Sequence, residues 1–363
     1  MSEARGKGKT MTDKKGFAAA LMAWHRENAR DLPWHGESDP YRIWLSEIML
    51  QQTRTETVKK YYAAFLKAFP TVRALAEAEE ADVLKLWEGL GYYSRARNLH
   101  AAAKMVQERF HGEFPKDEAS LRELPGVGEY AAGAVASIAF GQKTPAIDGN
   151  QARALARVWN VRDEIKTAFQ LRPQAEALMP DDEPGEYNQA LMGLGAMICT
   201  PRNPDCGSCP VRAFCEAYRE GSPEALPRKP EKRARRVEER AVALVFVKDG
   251  VLVRKREKGL LKGLWEFPGY AGARTAEDVA ECLKEEGLDA HFQGELGKAT
   301  HIFTHLEWHM KGFRFSSRET PEGWKAANKE ELNALAFPTA LKKYREDAAR
   351  ILRETGGNRS LKQ

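Results

Sequence analysis

The sequence LPGVGEYAAGAVASIAFGQKTPAID, residues 124–148, joins a glycine-rich turn, a helix of small residues and an acid in one short unit. Gly126 and Gly128 permit positive φ angles, so backbone N–H groups can point outward at the start of a helix predicted over 129–140. Such turns bind phosphate in some proteins and are purely structural in many helical hairpins. Asp148 stands at an expected helix N-cap, where an acid is ordinarily structural. The stretch predicts a helical fold, and its chemistry depends on the rest of the chain.

The length and charge of the chain set broad limits. The 363 residues suffice for two ordinary domains, and 57 Lys and Arg against 52 Asp and Glu give a net charge of +5. This balance is compatible with a nucleic-acid partner without demonstrating one. No window approaches the roughly 18 apolar residues of a membrane span, and the first residues lack the apolar core of a signal peptide. We expect a cytoplasmic protein, nucleoid-associated if bacterial, with no membrane partner.

The cysteines are clustered. Cys199, Cys206, Cys209 and Cys215 follow the spacing C-x6-C-x2-C-x5-C, while Cys282 stands far downstream. Four thiolates at these intervals can close around a [4Fe–4S] cluster, whereas zinc sites more often pair two C-x-x-C units. The spacing favours iron–sulfur over zinc, and both over free thiols.

One acid occurs in an unusual setting. Residues 40–53 form a mostly apolar predicted helix in which Glu47 is the single acid among large hydrophobic residues. A carboxyl buried there would have a raised pKa and could donate a proton near neutral pH. The alternative is an ordinary glutamate on the helix surface.

A glycine-bounded turn at residues 89–98 carries Tyr92 and Tyr93, followed by Arg95 and Arg97. Aromatic residues beside cations suit insertion into a base stack with the neighbouring phosphates held. Buried tyrosines next to a basic surface helix are the alternative.

The composition changes along the chain. Residues 1–13 are polar and basic and predict a disordered tail, and 14–220 show helical periodicity, with the cysteine loop at 199–215. The proline-rich, charged residues 221–236 predict a linker. From 237 to 356 the pattern mixes strands, as at 241–247, with helices, and 357–363 form a second tail.

These motifs together resemble the helix-hairpin-helix DNA glycosylases of the endonuclease III superfamily, specifically the MutY-type adenine DNA glycosylases. In the first 220 residues the resemblance rests on the following stretches: LPW at 32–34, WLSE at 44–47, MLQQT at 49–53, GLGYY at 89–93, LPGVG at 124–128, DGN at 148–150, NQA at 188–190 and the four cysteines. Beyond the linker, LWEFPG at 264–269 and EEGL at 285–288 resemble a Nudix-like domain. The implied fold is multidomain: an all-α helix-hairpin-helix glycosylase with an iron–sulfur loop, followed by an α+β Nudix-like domain.

The resemblance implies a base excision repair enzyme that flips adenine out of double-stranded DNA and hydrolyses its N-glycosidic bond. The adenine would lie opposite 8-oxoguanine or guanine, and the enzyme would act as a monomer. The residues that match the family's catalytic group are Glu47 as the acid, Asp148 as the carboxylate near the sugar, Tyr130 beside both, and Asn150.

The resemblance also assigns binding residues. Arg30, Trp34 and Gln189 would line the adenine pocket, and Gln52 and Tyr92 would probe the duplex near 8-oxoguanine. Phe303, Thr304 and His305 would contact the 8-oxoguanine. Gly126, Val127 and Gly128 would hold a DNA phosphate, and Cys199, Cys206, Cys209 and Cys215 would hold the [4Fe–4S] cluster.

Several positions depart from relatives. Bifunctional relatives carry a nucleophilic lysine where this chain has Tyr130, so a monofunctional hydrolase that leaves an abasic site is expected. Thr304 replaces a serine and His35 an arginine found in relatives. Residues 280–284, AECLK, lack the Arg-Glu core of a working Nudix box, so pyrophosphohydrolase activity is not expected.

Two other functions stay open at this point. One is a mismatch glycosylase of the same superfamily that removes thymine or uracil, against which the long Nudix-like domain argues. The other is a non-catalytic lesion-binding protein, against which the presence of both Glu47 and Asp148 argues.

Overall fold

The computed structural model describes residues 13–231 and 234–357, so all but the innermost residue of each predicted tail lies outside the described residues. The chain divides into two compact units. The first contains the chain up to Glu77 together with Asn98–Glu231, and the second contains Ala78–Arg97 together with the chain after Glu231. The sequence did not indicate that Ala78–Arg97 groups with the later residues.

The described residues up to 225 are mainly helical. Its α-helices are α1 (Lys14–Asn28), α2 (Pro40–Leu50), α3 (Thr55–Ala68), α4 (Val72–Glu77), α5 (Glu80–Leu86), α6 (Ser94–Phe110), α7 (Glu118–Leu121), α8 (Glu129–Phe140), α9 (Gly149–Val158), α10 (Arg172–Leu178), α11 (Pro184–Met197) and α12 (Glu216–Arg219). Short 3₁₀ turns lie at Ala168–Leu171, Arg212–Phe214 and Pro223–Ala225.

The predicted helices are found, with some shifted ends. Helices α6 and α8 have the predicted bounds, and Asp13, placed in the predicted tail, caps α1 by accepting a hydrogen bond from the Gly16 N–H. Helix α2 ends at Leu50 rather than at 53, because the backbone leaves the helical region and Gln52 has a φ of 57°.

Helix α2 is buried on nearly every side and packs against α3 and α8. The small residues of α8 allow this close packing. Toward the segment that follows α8, a Cβ on Gly133 would lie 2.3 Å from the carbonyl oxygen of Pro145, so only glycine fits there. The core of the first unit thereby holds Glu47 inside the protein.

The first half of the predicted linker packs on the first unit. Leu226 is buried and its carbonyl accepts a hydrogen bond from Arg157 Nε at 3.0 Å. The Ile165 N–H donates to the Arg228 carbonyl at 2.8 Å. The first strand of the second unit begins at Arg236, the last residue of the predicted linker.

The second unit is built on a mixed sheet. Its described strands are β1 (Arg236–Val247), β2 (Gly250–Lys255), β3 (Trp265–Glu266), β4 (Gly269–Ala271), β5 (Ala290–Ile302), β6 (Leu306–Ser317) and β7 (Lys325–Ala327). The order is β3-β2-β1-β6-β5, with β4 paired to β1 and β7 to β2. Only β1 and β6 pair in parallel among these strands, with Ala241 opposite Lys311.

Helices cover both faces of the sheet. Alternate residues of β1 point to opposite sides, so Ala243 packs with α13 (Ala276–Glu285), while Leu244 packs with α14 (Lys329–Ala334) and α15 (Lys342–Gly357). Cys282 on α13 is half-buried. In the described ranges no helix is long and apolar enough to cross a membrane.

Two glycines of α11 provide a matched test of the packing. A Cβ on Gly195 would lie 2.7 Å from the backbone oxygen of Asn150 at the start of α9, whereas a Cβ on Gly193 meets nothing closer than 3.4 Å. We expect Gly195→Ala to lower the free energy of unfolding by about 1–3 kcal/mol. Gly193→Ala should raise it by up to about 1 kcal/mol through helix propensity. Denaturant titration of both variants checks this, and equal stabilities would contradict it.

Candidate active site and iron–sulfur loop

A cavity of about 380 Å³ opens in the first unit and contains the sequence-predicted catalytic residues. Its lining includes Glu47, Tyr130, Asp148 and Asn150. It also includes five other residues that the sequence assigned or singled out, namely Arg30, Trp34, His35, Gln52 and Gln189. Residues from five separate stretches of chain therefore meet in one concave site of a size suited to a small ring system.

Glu47 is buried at the base of this cavity, with 5% of its surface exposed. Helix α2 places it there because every residue of the helix from Ile43 to Met49 is buried. Burial raises the pKa of Glu47 to about 7, and the nearby negative charge of Asp148 adds to this rise. A hydrogen bond from the Tyr130 hydroxyl acts in the opposite direction by favouring the carboxylate. The group is therefore poised to hold or release a proton near neutral pH.

Tyr130 lies in the first turn of α8, directly after the glycine turn, and its hydroxyl donates to Glu47 Oε2. Burial, together with the charges of Glu47 and Asp148, raises the pKa of this phenol well above its usual value. Tyr130 is therefore a neutral hydrogen-bond donor and not a nucleophile.

Asp148 is the N-cap of α9. Its Oδ1 accepts hydrogen bonds from the backbone N–H groups of Asn150 and Gln151, at 2.9 and 2.7 Å. Its Oδ2 accepts a third from the Asn150 side chain at 2.9 Å. Burial raises the pKa of Asp148, while these donors favour the ionised form. The cap thus holds a carboxylate in a fixed orientation beside Glu47.

A chain of hydrogen bonds connects Asp148 to the cysteine loop. The Asn150 side chain accepts a hydrogen bond from Arg153 Nη2 at 2.9 Å. The same guanidinium donates hydrogen bonds to the Gly195 and Cys199 carbonyls at 2.6 and 2.7 Å. One turn later, Arg157 donates to Cys199 Sγ at 3.3 Å. The two buried arginines of α9 therefore join the catalytic cap to a cysteine of the loop.

The four clustered cysteines line one cavity with Arg157. Burial raises the pKa of Cys209 to about 12 and of Cys215 to about 11, so these thiols ionise only when a bound cation compensates the charge. Within the described residues, no three His, Cys, Asp or Glu side chains converge on a single ion position. The fit to an iron–sulfur cluster therefore rests on the four sulfur donors, their common cavity and the arginine beside them.

The predicted adenine-pocket residues differ in exposure. Trp34 is buried and packs edge-on against Tyr62, with ring centroids 5.4 Å apart. Gln189 is half-buried, and Arg30 is exposed at the rim of the cavity. Gln52, which was predicted to probe the duplex, is also exposed at this rim.

The glycine turn before α8 has the predicted positive φ at Gly126 but not at Gly128, whose φ is −89°. Gly126 has a φ of 78°, and a Cβ there would lie 2.8 Å from Asn98 Cβ. The Val127 N–H donates to the Leu124 carbonyl at 3.0 Å. Gly128 is the N-cap of α8 and supplies no side chain, so the N-terminal end of the helix stays accessible.

The predicted 8-oxoguanine residues lie in the second unit, in the loop of residues 303–305 between β5 and β6. Phe303 packs edge-on between His301 and Trp308, with centroids at 4.6 and 4.8 Å. The hydroxyls of Thr304 and Tyr92 are hydrogen-bonded at 2.9 Å, and Tyr92 is 44% exposed. Two of the predicted probing residues are thus in direct contact.

Sequence reasoning missed three residues of the site. Arg153 and Arg157 were not assigned a role, although two arginines four residues apart on a helix of small residues could have indicated a buried charged face. His25 was also missed. Its ring lies 6.1 Å from that of His35, and burial lowers the pKa of both imidazoles.

The Tyr130–Glu47 hydrogen bond predicts a measurable titration shift. Tyr130→Phe removes a donor that stabilises the Glu47 carboxylate, so the pKa of Glu47 should rise above about 7. Carboxyl-detected NMR titration measures this, with Glu47→Gln to assign the signal. The exposed Tyr218 of the same unit is the control, since Tyr218→Phe should leave the Glu47 midpoint unchanged. An unchanged or lower midpoint in Tyr130→Phe would contradict the assignment.

The Arg153 network predicts a large loss of stability. Arg153→Gln leaves carbonyls of Gly195 and Cys199 without their buried donor, so the Tm should fall by about 5–10 °C. Arg162→Gln removes an exposed ion pair with Glu220 and should change the Tm by less than about 3 °C. Calorimetry of the iron-containing protein compares the two, and similar Tm values for both variants would refute the network's structural role.

Known families match three parts of the chain. Residues 45–180 match the HhH-GPD superfamily of base excision DNA repair proteins, and residues 199–215 match the iron–sulfur binding domain of endonuclease III. Residues 241–347 match the NUDIX domain. These matches confirm the predicted fold class and the iron–sulfur loop.

Solved structures support the fold of the helical part. A thermostable thymine-DNA glycosylase superposes with a TM-score of 0.52 at 28% identity and covers 58% of this chain and 98% of its own. Endonuclease III in a non-covalent DNA complex gives a TM-score of 0.51 at 21% identity, over 59% of this chain and 98% of its own.

Curated relatives align over both units. The adenine DNA glycosylase of Homo sapiens is 33% identical, over 90% of this chain and 73% of its own length. That of Buchnera aphidicola subsp. Baizongia pistaciae is 35% identical, over 80% of this chain and 83% of its own. At this identity and coverage, the chain belongs to the adenine DNA glycosylase family of base excision repair enzymes.

Proposed function

We propose that this protein removes adenine from double-stranded DNA by hydrolysing its N-glycosidic bond where the adenine lies opposite 8-oxoguanine or guanine. The observation that carries the proposal is the pair of carboxyls, Glu47 and Asp148, which differ in environment and share one cavity. Two such groups flanking a glycosidic bond supply the acid and the charge stabilisation that its cleavage needs.

Glu47 acts as the general acid. Adenine leaves poorly as an anion, and a proton on the ring makes it a neutral leaving group. A carboxyl with a pKa near 7 holds its proton at neutral pH and still gives it up readily. The Tyr130 hydroxyl keeps the Glu47 side chain in one orientation and leaves its other oxygen for the base.

Asp148 stabilises the positive charge that develops on the sugar. The three N–H donors on its oxygens favour the ionised form, and they fix the carboxylate without a counter-ion directly on it. Asn150, bound in turn by Arg153, is the positioning residue for this carboxylate. Glu47 therefore supplies the proton, and Asp148 supplies the negative charge that stabilises the sugar.

The reaction ends at the abasic site. No lysine lines the described part of the cavity, and the position that could present an amine holds the neutral Tyr130. Without an amine there is no Schiff base, so water completes the displacement and the strand stays intact. The four cysteines would hold the iron–sulfur cluster, which would cross-link and order the loop 199–215.

Other residues support recognition of the duplex. The glycine turn at 126–128 leaves the N-terminal end of α8 accessible, and a DNA phosphate would bind there. Trp34, Arg30 and Gln189 line the cavity that would receive the flipped adenine. Tyr92 and Thr304 are joined on an exposed surface of the second unit, where they would contact the opposite base.

The rival substrate is thymine or uracil opposite guanine. It is favoured by the superposition on a thymine-DNA glycosylase, which covers 58% of this chain. The curated adenine DNA glycosylases align over 80% or more of the chain and include the second unit. Adenine is therefore the better-supported base.

Substrate duplexes separate the alternatives. The protein is incubated with adenine opposite 8-oxoguanine, guanine or thymine, and with thymine or uracil opposite guanine, before alkaline cleavage. We expect alkali-dependent breaks at adenine opposite 8-oxoguanine and guanine only. Breaks at thymine or uracil would favour the rival, breaks without alkali at the same rate would refute a monofunctional hydrolase, and no product at all would indicate a non-catalytic binder.

The role of Glu47 predicts both a mutant rate and a pH profile. Glu47→Gln cannot donate the proton and should slow single-turnover adenine release by about 10²–10⁴-fold. Glu56→Gln on the exposed side of α3 is the matched control and should keep the wild-type rate. Because only the protonated acid works, the wild-type rate should fall about tenfold per pH unit above about 7. A rate that rises through this range would remove Glu47 from the mechanism.

A further inference from the structure

The turn that carries Tyr92 is attached to the second unit by a cluster of charges at its base. Glu88 stands directly before the turn, accepts a hydrogen bond from Lys85 Nζ at 2.6 Å and forms an ion pair with Arg345 of α15. The backbone N–H of Phe337 donates to the same carboxylate at 3.3 Å. The side chains of Glu88 and Arg345 are only 21% and 19% exposed, so solvent screens their attraction weakly.

Both cations make second contacts with the same stretch of chain. Lys85 Nζ donates to the Asn333 and Leu335 carbonyls at 2.6 and 3.2 Å, and Arg345 NH2 donates to the Asn333 carbonyl at 3.0 Å. The end of α5 is thereby fixed to α14 and α15. These contacts explain why Ala78–Arg97 belongs to the second unit.

The turn itself has a strained backbone that depends on this support. Gly89, Gly91 and Tyr92 have φ angles of 100°, 73° and 47°, and left-handed geometry is costly for a tyrosine. Trp87 Nε1 donates to the Gly91 carbonyl at 3.0 Å, and the Tyr93 hydroxyl donates to the Phe337 carbonyl at 3.2 Å. The turn is therefore held at the base and along its length by side chains.

We propose that Glu88 and Arg345 are positioning residues for recognition of the base opposite adenine, because their ion pair sets Tyr92 against the loop of residues 303–305. At the tip of the turn the Tyr92 hydroxyl meets Thr304, so the two probing elements form one surface only while the base of the turn is fixed. The inference rests on the proposed function and adds residues that touch neither DNA nor the reacting bond. Small displacements of a positioned group cost rate in proportion to how precisely the group must fit.

A double-mutant cycle tests the pair. Glu88→Gln, Arg345→Gln and the double variant are compared with wild type in single-turnover adenine release opposite 8-oxoguanine and opposite guanine. Each single variant should lower the rate opposite 8-oxoguanine by about tenfold and the rate opposite guanine by less than about twofold. The double variant should be no worse than either single one, because the two side chains act as a unit. Arg350→Gln is the matched control, since Arg350 lies on the same helix and pairs with Asp347 and Glu354 of that helix.

The possible outcomes are distinct. A wild-type protein that releases no adenine opposite 8-oxoguanine would overturn the proposed function itself. A wild-type protein that does so, with Arg345→Gln unchanged or equally slow on both substrates, would overturn only the positioning role. A double variant with additive losses, or an equal loss in Arg350→Gln, would also overturn it. Circular dichroism of every variant separates these outcomes from unfolding.

Discussion

The removal of Glu47 from water is the constraint on which the catalytic unit depends. A buried carboxylate without partners costs several kcal/mol, so the site must either neutralise it or give it donors. Here neutralisation dominates, because the pKa of Glu47 rises to about 7. Tyr130 supplies a single hydrogen-bond donor to the Glu47 carboxyl. Burial of Glu47 requires close packing around α2, and the small residues of α8 allow that packing.

Asp148 is a helix N-cap that, in the proposed mechanism, also takes part in the reaction. An N-cap needs a carboxylate that accepts backbone N–H groups, and catalysis needs a carboxylate of fixed orientation beside the sugar. Both needs are met by the same atoms. The cap is itself secured through Asn150 and Arg153 to the carbonyl of Cys199, so order in the cysteine loop contributes to order at the cavity. The arrangement makes the loop part of the scaffold of the site even though it lies outside the cavity.

Local patterns were sufficient to predict the elements and the main residues. The small-residue run predicted α8, Asp148 predicted the cap of α9, and the strand predicted at 241–247 lies within β1. What escaped prediction depends on contacts between distant parts of the chain. Arg153 is 46 residues from the Cys199 carbonyl that it binds, and Lys85 is 248 residues from that of Asn333. Neither pairing leaves a periodic signal, and the same holds for the membership of Ala78–Arg97 in the second unit.

The grouping of Ala78–Arg97 with the second unit bears on how the proposed base removal and the proposed recognition of the opposite base are divided between the two units. The proposed catalytic acids, Glu47 and Asp148, both lie in the first unit. Tyr92 and Thr304 both lie in the second unit, although Tyr92 occurs in the middle of the helical part of the sequence. The chain thus contributes Ala78–Arg97 to the second unit and returns to the first unit at Asn98. A domain transplanted at the boundary near residue 231 would leave this segment behind, without Arg345 and Phe337 to hold it. The proposed recognition surface for the opposite base, formed by Tyr92 and Thr304, therefore draws on residues from both sides of the linker.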